Sequence, residues 1–453
     1  MITSLHLENY KSFKKLNLNL EKGKKPKKIV AIYGENGSGK SNIISAFQNL
    51  VLSLNTVNSQ EDFAKFQAQL LKRHEKSEDD NFILNVLRSG APDNIELVGV
   101  FKNSYMLDAT GPMKIRYDFE IEGNHGYYEL IFEKNEDEMY LSSEKLHYLI
   151  KKSSGDFFEI SGDSKGVSEK KWSPSLFKSK EIKQLVDSNT SRLWGKHTLL
   201  SIFNNVFRQN NREYLKKNIS KNFLVALGSL KTIAYRSDES AGINGYSMLL
   251  RNMINGKFLK NEKNDKKIEA TKNALNKYFV PLYSDINKMY YKFTEDDDGK
   301  QKYDLFESKR IGGESVEVPF RLESHGTKRL MDLFPLFLNA VNGETVVIDE
   351  IDQGIHDLLI DRIIDNLKDD IEGQLIFTTH DTQVMRQLDA SSLYVIQIDS
   401  KGKKQVINLT KGAKDNIAAH NNIQKKYLEG YFAGIPYSSD VDFYDIVSDL
   451  EVQ

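Results

Sequence analysis

The chain has 453 residues, 39% of them apolar and 10% aromatic, which is enough for two or three domains with real cores. Lys+Arg 63 against Asp+Glu 64 leaves a formal charge of -1, so overall charge points to neither nucleic acid nor membrane, and any basic surface must be local. The absence of cysteine excludes disulfides, thiolate metal sites and cysteine nucleophiles; with no apolar leader in MITSLHLENYKSFKKL and no run of about 18 apolar residues, a cytoplasmic protein without a membrane span is expected.

In chain order, two short strands are predicted first, Ile2 to Leu7 and Leu16 to Leu20. The turn from Glu21 to Lys28 that follows carries five lysines and reads either as a solvated hairpin tip or as a contact for a phosphate backbone. The apolar stretch Ile29 to Tyr33 then runs into GENGSGKS, from Gly34 to Ser41, and on into a helical run to Leu50. This is a complete G-x-x-x-x-G-K-[ST] match between a strand and a helix, and it reads as a P-loop. Gly34, Gly37 and Gly39, with Glu35, Asn36 and Ser38 between them, let the backbone aim successive N–H groups at phosphate oxygens. Lys40 supplies a point charge for the β- and γ-phosphates, and Ser41 a hydroxyl for Mg²⁺. ATP and Mg²⁺ are therefore the expected cofactors.

Residues from about 55 to 92 are polar and helical in pattern. From Asn94 to about Ile160 the pattern alternates, as in Lys114 to Ile121 and Tyr127 to Glu133, split by the turn Glu122 to Gly126, and predicts an antiparallel meander. From about 165 to 300 the chain is rich in Lys, Asn and Leu at helical spacing, as in Leu199 to Phe207, and reads as a helical insertion. No heptad is sustained, so a long coiled coil is not expected.

The run Glu344 to Glu350 is a buried strand ending in two adjacent carboxylates, the form of a Walker B element. In such a site Asp349 holds Mg²⁺ and Glu350 polarises the attacking water. Gln374 to Asp381 is a second buried strand, ending in His380, which reads alternatively as a γ-phosphate contact or as a satisfied surface histidine.

Just before the helix that leads to Asp349 lies Arg321-Leu-Glu-Ser-His-Gly-Thr-Lys-Arg329. A P-loop, a Ser-x-Gly-Thr segment, a hydrophobic strand ending in Asp-Glu and then Thr-Thr-His-Asp is the order of an ABC-type ATPase head. The chain resembles the SMC/RecF/OLD branch, to which the opening Leu7 to Phe13 and the segment Asp349 to His356 are also similar. Within it, Glu323 to Thr327 and the tail Lys426 to Pro436 resemble the bacterial abortive-infection ATPases. The resemblance implies that Ser324, Gly326 and Thr327 contact a nucleotide held by another subunit, making ATP the link of a homodimer or a multiple of dimers. It also places His380 at the γ-phosphate. His325 and Thr327 depart from the transporter signature, and no Q-loop glutamine is placed, Gln67 and Gln69 being candidates only. In the tail, Tyr427, Leu428, Phe432 and Ile435 read equally as packing on the head or as a docking segment.

The expected fold is α/β, an ABC-type P-loop head with an antiparallel β subdomain and a helical insertion. Its division is 1–54 with the P-loop, 55–160 for a helical segment and the meander, 161–305 for the insertion, 306–410 for signature, Walker B and histidine, and 411–453 for the tail. The function implied is that of an ATPase in anti-phage defence, similar to the ATPase of PARIS-type systems. It would answer a phage-encoded trigger and control a separate effector such as a TOPRIM nuclease or toxin. The alternative is a RecF-like or SMC-like ATPase of DNA maintenance, for which Lys216, Lys217 and Lys221 are candidate contacts; net charge does not indicate DNA.

Overall fold

The computed structural model describes residues 1–74, 92–135, 138–237, 240–242, 248–295, 300–410, 423–435 and 440–451. Its centre is a seven-stranded sheet in the order Ala241–Gly242, Ala234–Arg236, Thr345–Ile348, Gln374–Thr378, Ile29–Tyr33, Leu393–Ile398, Lys404–Asn408. The inner five strands are parallel and the two edges antiparallel. Both faces of the inner strands are covered, which is why Ile29–Tyr33, Thr345–Ile348 and Gln374–Thr378 are buried at every position and read as unbroken apolar runs rather than alternation. The polar exceptions are Thr345 and Thr378 at strand ends and Gln374. The Gln374 amide donates to the carbonyls of Ile2 at 2.8 Å and Lys27 at 2.9 Å, and its oxygen accepts from the Ile2 N–H at 2.9 Å, so it ties the chain's first strand to the parallel sheet.

The second large sheet is antiparallel and also has seven strands, in the order Gly166–Trp172, Ser154–Asp163, Glu138–Leu149, Asn124–Asn135, Met113–Ile121, Ile2–Tyr10, Phe13–Asn19. The predicted meander therefore exists, joined to the two predicted N-terminal strands. It begins at Met113 rather than Asn94, because Asp93–Ile95 and Leu97–Val100 form short helical turns. The inward face of this sheet packs on the P-loop helix Lys40–Ser53 and buries Tyr117, Phe119, Tyr128, Leu130 and Phe132.

The stretch expected as one helical insertion, 161–305, is divided by the fold. Four helices, Lys180–Leu193, Leu199–Gln209, Arg212–Asn218 and Lys221–Lys231, share a core with the antiparallel sheet. The chain then returns to the parallel sheet as Ala234–Arg236, beside Thr345–Ile348. Three residues are too few to carry a period-two signal, so this strand is invisible in the sequence. Beyond it, helix Glu262–Leu282 packs on a small sheet of Asn255–Phe258, Ile286–Glu295, Gln301–Ile311 and Glu314–Pro319. Of the acidic turn 295–299, only Glu295 lies within the described residues. Among them, no helix is long and apolar enough to cross a membrane.

One buried carboxyl joins the antiparallel sheet to the helices. Glu144, fully buried, accepts from Tyr128 Oη at 2.8 Å, Trp194 Nε1 at 2.8 Å and the N–H groups of Leu199 at 2.7 Å and Leu200 at 3.4 Å. Burial raises its pKa from 4.5 to about 7, against the pull of these donors. With the folded value above the unfolded one, its contribution to stability is complete below pH about 4.5 and is lost as pH rises through about 7. In Glu144→Gln an amide NH₂ must face one of these donors, leaving it unsatisfied, and a loss of about 2 kcal/mol is expected. Denaturant unfolding at pH 5 and pH 8 checks both points: the variant should be less stable at each pH and less sensitive to the change between them.

Candidate functional site

The P-loop turns from the end of Ile29–Tyr33 into the fourteen-residue helix Lys40–Ser53. Two glycines are obligatory here. A Cβ on Gly34 would lie 2.7 Å from Ser38 Oγ, and Gly39, at the helix N-cap, has φ 110° and would press a Cβ to 2.9 Å from Phe13 Cζ. No side chain caps this helix and no acidic residue lies in its first turn, so its N–H groups and positive dipole end stay available to an anion. Ser38 Oγ is buried and makes no hydrogen bond among the described residues. Lys40 is 6% exposed, and its ammonium donates to the carbonyls of Gly34 at 2.8 Å and Glu35 at 3.2 Å. Burial lowers its pKa, while Glu350, Asp349, Asp352 and Glu35 pull it back up.

That pull records how the fold assembles the site. Thr345–Ile348 does not adjoin the P-loop strand; Gln374–Thr378 lies between them. Its last residue, Thr378, therefore connects the two motifs. The Thr378 hydroxyl donates to Asp349 Oδ1 and accepts from the Glu350 N–H at 2.8 Å. Glu350 has φ 46°, a left-handed conformation that costs a non-glycine residue of order 1 kcal/mol or more. Arg329 Nη2, from the helix His325–Val341, reaches the carbonyls of Asp349 at 3.3 Å and Glu350 at 3.5 Å, so the strained turn is held from both sides. His380 follows the intervening strand. Its N–H donates to Asp352 Oδ2 at 3.3 Å, and burial, with Lys40 next in importance, lowers the pKa of its ring. The P-loop, Asp349, Glu350 and His380 thus meet at the C-terminal edge of one parallel sheet.

These residues fit a nucleotide triphosphate with Mg²⁺. The orphaned Ser38 hydroxyl, the glycine cradle and the uncapped helix suit phosphate. The exposed Ser41 hydroxyl and the Asp349 carboxylate are the hard oxygen donors Mg²⁺ takes in ones and twos beside phosphate. Among the described residues no cluster of three His, Cys, Asp or Glu side chains is arranged to hold a metal without such help.

The signature segment sits apart from the P-loop contacts. Ser324 is exposed and caps the helix His325–Val341, its Oγ accepting from the Thr327 N–H at 3.1 Å. Gly326 packs on the loop after Glu350: a Cβ there would meet the Gly354 carbonyl at 2.2 Å. Thr327 is 3% exposed, and its hydroxyl contacts Ser324 Oγ at 2.8 Å and Tyr283 Oη at 3.3 Å, so within the chain it braces the helix start. Its position one turn in from the N-cap is the reason. Gln67 and Gln69 lie on the helix Thr56–His74, which packs against Leu199–Gln209 and the turn Asp93–Ile95. His356 caps the helix Asp357–Asp370.

Three contributors escaped the motifs. Arg329 lies five residues beyond the signature serine, Asp352 holds the His380 turn, and Lys404 donates to the Gly37 carbonyl at 2.6 Å from the edge strand. Arg329 and Asp352 had a sequence signal only as members of the segments Arg321 to Arg329 and Asp349 to His356, and Lys404 had none. In the tail, packing on the head is realised for Tyr427 and Phe432, which are 8% and 0% exposed. Tyr427 meets the Tyr33 ring at 5.7 Å and donates to the Gly434 carbonyl at 2.9 Å. Leu428 is exposed, Ile435 is half-buried, and Pro436 lies outside the described residues.

A family model described as "AAA domain, putative AbiEii toxin, Type IV TA system" matches residues 119–386, and another described as "AAA domain" matches residues 1–92. No curated protein matches the chain. Among solved structures it is similar to an SMC head bound to the C-terminal winged-helix domain of ScpA, at 15% identity and TM-score 0.41 over 90% of this chain and 97% of that one. It is also similar to the SMC head domain from Thermotoga maritima, at 14% identity and TM-score 0.37 over 90% and 98%. A third is the Smc head domain with an extended coiled coil bound to the C-terminal domain of ScpA from Pyrococcus furiosus, at 13% identity and TM-score 0.37 over 90% and 95%.

Proposed function

Because the chain belongs to the AAA-domain family described for putative AbiEii toxins of type IV TA systems, we propose that it is an ABC-type ATPase of an anti-phage defence system. It binds ATP with Mg²⁺, hydrolyses it slowly to ADP and phosphate, and controls a separate effector. The observation that carries this reading is the convergence of Lys40, Asp349, Glu350 and His380 on one sheet edge, with Thr378 linking the motifs. In the reaction, P-loop N–H groups and Lys40 would bind the phosphates, Ser41 and Asp349 would hold Mg²⁺, Glu350 would take a proton from the attacking water, and His380 would contact the γ-phosphate. When bound, the metal would supply neutralisation of phosphate charge.

The exposed Ser324, set away from the contacts of its own P-loop, supports completion of the site by a second subunit. Ser324→Arg is expected to leave ATP binding by the monomer within about twofold while turnover falls about a hundredfold, as for loss of a positioned donor. Nucleotide titration and phosphate release measure the two quantities. Unimpaired hydrolysis would remove the trans arrangement.

A protein partner is supported by the C-terminal helix Phe443–Glu451. Phe443, Tyr444, Ile446, Val447 and Leu450 are 47–84% exposed along it, and residues 440–453 hold five carboxylates and no lysine or arginine. Such an acidic amphipathic helix suits an apolar groove with a basic rim on an effector. The mass of Glu350→Gln with ATP·Mg²⁺, with and without the products of adjacent genes, tests the whole reading: nucleotide-dependent capture of one product sustains it. One feature favours the DNA-maintenance alternative, a groove of about 540 Å³ lined by Lys22, Lys25, Lys27, Lys28 and Lys368. A nucleotide-dependent dimer that ignores those products and binds duplex DNA in a salt-sensitive way would select that alternative.

A further inference from the structure

Behind the signature lies a buried charge cluster that nucleotide chemistry does not use. Glu307, on the strand Gln301–Ile311, is fully buried, and neither of its carboxyl oxygens has a hydrogen-bond partner among the described heavy-atom contacts. Lys309 Nζ stands 3.5 Å from Glu307 Oε1 and 3.5 Å from Asp285 Oδ2, and it donates to Glu323 Oε1. Glu323 immediately precedes Ser324, whose Oγ is hydrogen-bonded to Thr327 Oγ1 at 2.8 Å. Tyr283, from the loop that also holds Asp285, donates to Thr327 Oγ1. The cross-strand neighbours of Glu307, Met289 and Val318, do not titrate.

Three carboxyl groups thus face one ammonium, with Glu307 fully buried, Glu323 and Lys309 largely so, and Asp285 at the solvent side. Glu307 and Glu323 converge on the same Lys309 Nζ, and two carboxyl groups held that close, one of them fully buried, do not both ionise. Lys309 is committed to Glu323, which keeps the negative charge on that residue and leaves the proton on Glu307. A protonated Glu307 then donates to Glu323, and its apparent lack of a partner is explained. The pKa directions agree: burial and then Glu323 raise Glu307 to about 8, while Glu323 is held low by Glu307, Lys309 and Thr327 against its own burial.

We propose that Glu307 is a positioning residue for the signature turn: as a neutral acid it hydrogen-bonds Glu323 and so fixes Glu323–Thr327 in the geometry that presents Ser324 to a second subunit. Loss of its proton places two carboxylates in contact and displaces the turn. This rests on the reading above, in which Ser324 completes a nucleotide site in trans. It adds that the small sheet supplies, through Glu307 and Lys309, the contacts that hold the turn before Ser324.

The experiment uses the full chain carrying Glu350→Gln, alone and combined with Glu307→Gln or Glu307→Leu. The ATP-driven dimer is followed by mass from pH 6.5 to 9.5, and ATP affinity is measured alongside. The parent is expected to lose dimer affinity about tenfold or more between pH 7.5 and 9.5 at unchanged ATP affinity. Glu307→Gln, whose amide donates at every pH, should keep its dimer across the range. Glu307→Leu, which donates at none, should dimerise at least tenfold more weakly throughout. An alkaline break that persists in Glu307→Gln, or full dimer affinity in Glu307→Leu, overturns the role of Glu307 while leaving the trans site standing. A parent that binds ATP but forms no dimer at any pH overturns both. Thermal melts of each variant separate misfolding from displacement: a Glu307→Gln protein that melts with the parent yet keeps the break counts against the proposal.

Discussion

Glu350→Gln is expected to bind ATP·Mg²⁺ with near wild-type affinity and to turn it over about a hundredfold to ten-thousandfold more slowly, the range a positioned general base supplies. The isosteric amide keeps the backbone contacts that hold this turn, the N–H to Thr378 at 2.8 Å and the carbonyl to Arg329 at 3.5 Å, so the left-handed φ of 46° is preserved. Only the proton acceptor is removed. Product formation in a single turnover measures the chemical step directly, and equal rates in variant and wild type would remove Glu350 as the base. The same variant should accumulate the ATP-bound assembly, because closure requires binding while reopening requires hydrolysis.

Lys40→Ala is expected to weaken ATP binding at least about a hundredfold, roughly 3 kcal/mol, through loss of charge-assisted hydrogen bonds to phosphate. Its ammonium sits on the Gly34 and Glu35 carbonyls, among Glu350, Asp349 and Asp352. Removing it leaves those acids to repel the incoming triphosphate. Lys40→Arg does not rescue, since the planar guanidinium fits neither the 6% exposed slot nor a point-charge role. Equilibrium titration with a fluorescent ATP analogue measures the loss; retention of binding within threefold would remove Lys40 from the phosphate site. A melt of the apo protein serves as control, since the lysine touches only loop carbonyls and its loss should leave the sheet intact.

The motifs were legible because their chemistry is local. Strand, loop and helix of the P-loop are consecutive, and the glycines, Lys40 and Ser41 follow from the conformation a phosphate cradle demands. The buried runs ending at Glu350 and His380 could be read for the same reason, since a strand covered on both faces has to be apolar throughout. Boundaries failed where the signal was short or shared. The meander began at Met113 because Leu97–Val100 is apolar enough to pass for strand yet closes as a helical turn. The hydroxyl pair of Thr327 and Ser324 was not foreseen either, because it follows from the place of Thr327 in the first turn of a helix.

What residue order alone offered is therefore a candidate inventory: a phosphate loop, a pair of acids, a histidine and a signature serine, each encoded within a few neighbouring residues. Their meeting was decided by packing over hundreds of residues. Gln374–Thr378 enters between the P-loop strand and the strand of the acids, and so makes Thr378 their common partner. Arg329 reaches over from the signature helix to hold Glu350 in a conformation that no local preference favours. The strand Ala234–Arg236 completes that side of the sheet from within a stretch that reads as helix. A three-residue strand, a hydroxyl between two motifs and a positive φ leave no periodic trace, because the contacts that stabilise them come from other elements.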